Sequence, residues 1–103
     1  MKNELIENSK LRARAGCNFL LETFSELDIS NNEAIRQSHI GKESFYGMKQ
    51  GKLINLDAFL RLKDYAFRQL QQQVRMKRLP PNILTEWKER LRQIMLDSPT
   101  SGF

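Results

Sequence analysis

An all-α fold of four or five helices follows from three observations on the 103-residue sequence. Apolar residues recur at spacings of three and four through most of the chain, which is the period of a helix face. No stretch alternates β-branched with polar residues, so strands are not expected. Helix-start residues, Ser30 and Asn55, stand just before periodic runs, and Pro80-Pro81 interrupts the last one. At this length a single small core is expected. The 40% hydrophobic and 28% charged content fits a helical protein with much solvated surface.

The first expected helix carries Ile6, Ala13, Cys17, Leu20, Phe24 and Leu27 on one stripe, widened by Leu21. Glu4, Glu7, Arg12, Arg14, Glu22 and Glu26 fall on the other side. Gly16 marks either a bend or the start of a shorter helix. Residues up to about Lys10 are read as a loose arm. Cys17 is read as a small core hydrophobe rather than a reactive thiol.

Ser30 opens the second helix, and Glu33 three residues later completes a capping-box pattern. Ala34 and Ile35 point inward. Ser38-His39-Ile40-Gly41 reads as a turn, with Ile40 as its buried plug. The third helix is expected over residues 42–50, with Phe45 and Met48 on one docking face and a polar side left outside. Gly51 then ends it.

Asn55 caps a fourth helix from Leu56 to about Lys77. Its expected stripe is Leu56, Phe59, Leu60, Leu62, Phe67, Leu70 and Val74. The cluster Arg75, Lys77 and Arg78 either touches phosphate or is a solvated helix end, where cations suit the dipole. Pro80-Pro81 breaks the chain, and Asn82 offers a cap for a fifth helix. Its seam, Leu84, Trp87, Leu91 and Ile94, has four-three spacing. It either folds back on its own core or pairs with the same helix of a second subunit, and pairing is the expectation. The organisation is therefore residues 1–78, with the motif at 30–52, followed by a dimerisation helix in 79–103. Residues 98–103 read as a frayed tail.

Taken together, Ser30, Asn31-Asn32, Ala34-Ile35, Ile40, Phe45 and Met48, Gly51-Lys52 and the run from Leu56 to Leu62 resemble the helix-turn-helix of the phage repressor and Cro class. The likeness covers roughly residues 20–70. Four positions depart from the pattern. His39 stands where the turn normally has Gly, and Ser38 replaces an apolar core residue. The loop after Lys52 is one residue short, and Gly47 replaces a base-reading side chain. The resemblance implies a repressor-like domain with an extra C-terminal helix, whose third helix enters the major groove of double-stranded DNA by its N-terminal end. It implies base-facing roles for Lys42, Glu43, Ser44 and Tyr46. Asn31, Lys49, Gln50 and Lys52 are then expected to hold the phosphate backbone.

Charge and composition narrow the function classes. The net charge is +5 and the pI about 9.7, which fits a polyanionic partner. The first thirty residues are net −1, the next thirty +1, and residues 61–103 are +5. Phosphate contacts are thus also expected from Arg61, Arg68 or the Arg75 to Arg78 cluster. One His and one Cys leave little material for acid–base, nucleophilic or metal chemistry. Neither an enzyme nor a cofactor is expected. The polar start and the lack of a long apolar run suggest neither signal peptide nor membrane span. A lone Cys fits a reducing, cytoplasmic setting. The expected function is a homodimeric, sequence-specific regulator of transcription, most commonly a repressor in this class. The competing expectation is a helical protein-interaction module that never reads bases.

Overall fold

A computed structural model describes residues 2–53 and 55–96, with side chains from residue 9 onward. It contains α1 (Lys2–Glu26), α2 (Asn31–Ser38), α3 (Lys42–Lys49), α4 (Leu56–Arg75) and α5 (Asn82–Leu96). The fold is all-α, and no strand occurs among the described residues. The expectations for the Ile6 side chain and for residues 98–103 fall outside what is described.

α1 is longer than its sequence suggested. It begins at Lys2, not after a loose arm, and passes Gly16 without a break. Space explains the glycine. A Cβ there would meet Met95 Sδ at 2.5 Å and Phe59 Cζ at 3.0 Å, so α4 and α5 both close on bare backbone at that point. α1 touches all four other helices and buries two faces. Ala13, Cys17, Leu20 and Phe24 form the expected stripe, and all four are buried. Phe19 and Thr23, which a single-stripe reading omits, are buried as well and meet α5.

On α4 the core-facing residues are Ala58, Phe59, Leu62, Ala66 and Leu70. Two positions of the expected stripe differ. Leu56 is 65% exposed and Leu60 46%. At about 100° per residue they lie roughly a quarter to a third of a turn from the Phe59–Leu62–Ala66 line, on the flank that faces α5. Asn55 caps the helix as expected, its Oδ1 accepting from Ala58 N–H at 3.1 Å.

α5 departs most from expectation. Trp87 and Leu91 are buried in the same core as Leu20, Phe24 and Leu62, and Leu84 and Ile94 pack half-buried against it. The Trp87 ring lies 5.6 Å from Phe19 and 5.9 Å from Phe67, centroid to centroid. Its Nε1–H donates to Thr23 Oγ1 at 2.8 Å, and the Thr23 hydroxyl donates to the Phe19 carbonyl at 3.1 Å. The seam assigned to a second subunit is thus closed on its own chain. The physical reason is the second face of α1 and the neighbouring flank of α4, since Phe19 on the one and Phe67 on the other would be more open to water without α5. The stretch around residues 78–79 is a turn within one core, not a divide between two. Asn82 is the first residue of α5, not its cap, and its side chain donates to Glu86 Oε1 at 2.9 Å. No described helix is long and apolar enough to cross a membrane.

Candidate nucleic-acid interface

Local chemistry sets the geometry of residues 30–52. Ser30 is extended (φ −72°, ψ 157°), and its hydroxyl accepts from Glu33 N–H at 3.1 Å, satisfying one open donor of α2. At the other end, His39 N–H donates to the Arg36 carbonyl and Ile40 N–H to the Ile35 carbonyl, at 3.2 and 3.3 Å. This is a Schellman ending with His39 in the left-handed region, φ 57° and ψ 44°. His39 therefore fills a position where a glycine is usually found. Ile40 is half-buried and packs against the core. Gly41 is extended and starts α3 with no side-chain cap.

α3 is anchored from below. Phe45 and Met48 are fully buried. Gly51, at φ 72°, ends the helix through bonds from Gly51 N–H to the Met48 carbonyl and from Lys52 N–H to the Gly47 carbonyl. Two side chains of α4 and its cap hold the motif in place. Asn55 Nδ2 donates to Ser44 Oγ at 2.9 Å while its Oδ1 caps α4. Arg61 Nη1 donates to the His39 carbonyl at 3.0 Å and its Nε pairs with Asp57 at 3.1 Å. The turn and α3 are thus tied separately to α4 and its cap.

Lys42, Glu43 and Tyr46 are exposed on α3, and Gln50, the residue just past its end, continues the same stripe. Lys49 Nζ lies 5.8 Å from the Tyr46 ring centroid. Ser44 has a different place from the one expected of a base reader. It is half-buried and engaged by Asn55, because it faces the α3–α4 junction. Gly47 also acquires a reason. Its Cα side is covered by Leu53, whose side chain occupies the space a Cβ would need. Of the expected backbone contacts, Gln50 and Lys52 are exposed, and Asn31 and Lys49 are half-buried.

The basic residues of α4 are less free than charge counting suggested. Arg61 pairs with Asp57 and Arg68 with Asp64, at 3.1 and 2.8 Å. Sequence reading also missed Asn55 as a clamp and Arg61 as a staple. Asn55 was legible only as a cap, and nothing local links Arg61 to a carbonyl 22 residues earlier. No protein-family model, no curated protein and no solved structure matches the chain.

Proposed function

We propose that the protein is a sequence-specific double-stranded DNA-binding regulator of transcription that reads bases with α3. The observation that carries this reading is the contrast between the two sides of one short helix. Its apolar side is buried and Ser44 ties it to the α4 cap, while Lys42, Glu43, Tyr46 and, just past its end, Gln50 stand outward in one row. A rigid helix with a free polar edge is the shape that fits a major groove. Lys42 would donate to guanine O6 and N7, and Glu43 would accept from cytosine N4. Gln50, Lys52 and the α2 start at Asn31 would contact phosphates and set register. With Gly47 covered and Ser44 engaged, few direct base contacts remain, so DNA shape carries part of the specificity.

Two copies on half-sites about one helical turn apart remain the proposed arrangement. Because Trp87 and Leu91 are buried in their own core, such pairing would rest on the duplex or on another surface. Selection of duplexes from a random pool, followed by gel-shift titration at several salt concentrations, tests the reading. An enriched site bound more tightly than random DNA is the expected result. No enrichment, and no shift at low salt, would remove it.

A further inference from the structure

α4 and α5 both pack on α1 but leave an open apolar groove between their outer flanks. It has a volume of about 590 Å³. Phe67, Trp87, Leu91 and Met95 line its floor. Leu56 and Leu60, the two α4 residues left out of the core, form one wall. α4 contributes positions from 56 to 67 and α5 positions from 87 to 95, so the trough is about 12–17 Å long at 1.5 Å per residue. That length takes two to three turns of a helix laid along it.

The charges around the trough choose among occupants. Lys63, Lys88 and Arg92 line it, against a single carboxylate, Asp64. Asp64 is paired with Arg68, and Arg92 with Glu89. Lys88 Nζ sits 4.4 Å from the Phe67 ring centroid, at the lip of the apolar floor, and Lys63 has no ion pair among the described residues. The rim is therefore net positive on a chain of charge +5. A second copy would bring like charge to like charge, whereas an acidic ligand would be drawn in.

We propose that this groove is the docking site for an acidic amphipathic helix of a partner protein. The partner sets apolar residues at i, i+3 or i+4, and i+7 on Leu60, Phe67 and Met95, above the buried Trp87, with Asp or Glu flanking toward Lys63 and Lys88. The proposal does not depend on DNA reading, since none of the lining residues belongs to α2 or α3.

The test is selection from a displayed library of helix-forming peptides, about 15 residues long, against the full chain. Core and flanking positions vary freely. Recovered peptides are then titrated by fluorescence anisotropy and by the emission of Trp87, the only tryptophan. The expected peptides carry acidic flanks and shift Trp87 emission. They should bind Leu60→Asn, and separately Lys63→Glu/Lys88→Glu, at least about tenfold more weakly. Unchanged thermal melting shows that these variants fold. Failure to recover any peptide would overturn the proposal. So would neutral or basic flanks, or full affinity for the charge-reversed variant. A native dimer in sedimentation equilibrium that Leu60→Asn disperses would also overturn it, in favour of a second copy. Gel shift on the same variants separates the two readings, because groove variants should leave any DNA binding intact.

Discussion

Ser38 is 5% exposed and its hydroxyl has no hydrogen-bond partner among the described residues. An unanswered buried hydroxyl is costly, so Ser38→Ala should raise stability by about 1 kcal/mol, read by urea unfolding. A second residue-scale prediction concerns Cys17. Burial pushes its thiol from 9.0 up to about 11, against the pull of Lys49 in the other direction. The folded chain keeps a proton that the unfolded chain releases above about pH 9. This contribution to stability is whole below pH 9 and is lost as the pH climbs toward 11. At pH 8 a disulfide-exchange reagent should label Cys17 fully in denaturant, and in the native protein only as fast as the core opens. On the candidate interface, Lys42→Ala should relax sequence preference, as seen by repeating the selection. Lys52→Ala should weaken all duplexes alike and reduce the salt slope by about one. Among these residues Cys17 was legible as core from its stripe. The engagement of Ser44 was not, because its partner lies 11 residues away across a loop.

At the scale of elements, one device ends four of the five described helices. After α1, α2, α3 and α4 the chain turns through Asp28, His39, Gly51 and Lys77, at φ 60°, 57°, 72° and 60°. In each case that residue's N–H and the next one's reach back to carbonyls three and five positions earlier. Such an ending favours glycine, and a side chain in this backbone region costs roughly 1 kcal/mol. Lys77→Gly should therefore raise the melting temperature by about 4–8 °C, measured by circular dichroism. His39→Gly should give a smaller gain, since His tolerates this region better. Gly51 announced its turn by composition. His39 was placed by its position between two periodic runs. Lys77 gave no sign, because lysine has no preference for this conformation. Its turn is imposed by α5 having to return onto α1.

For the molecule as a whole, α5 is a structural member of the core. Trp87→Ala should cost about 3–5 kcal/mol, with a melting temperature that does not vary with protein concentration. A dimer seam at this helix predicts the opposite, a transition that rises with concentration. Trp87→Phe should be milder, because Thr23 keeps its bond to the Phe19 carbonyl after losing the indole donor.

The amino-acid order by itself determined the helical class and most of the helix starts and stops. Caps, glycine and proline act within a few residues, so their chemistry can be read directly. It also marked which side of α3 is apolar. Only the tertiary structure decided what covers each apolar face. Periodicity shows that Trp87 and Leu91 must be buried, but a partner subunit and the chain's own α1 offer the same burial energy per area. The choice went to α1 because Phe19 and Thr23 give that helix a second face, complementary to the indole ring and its N–H.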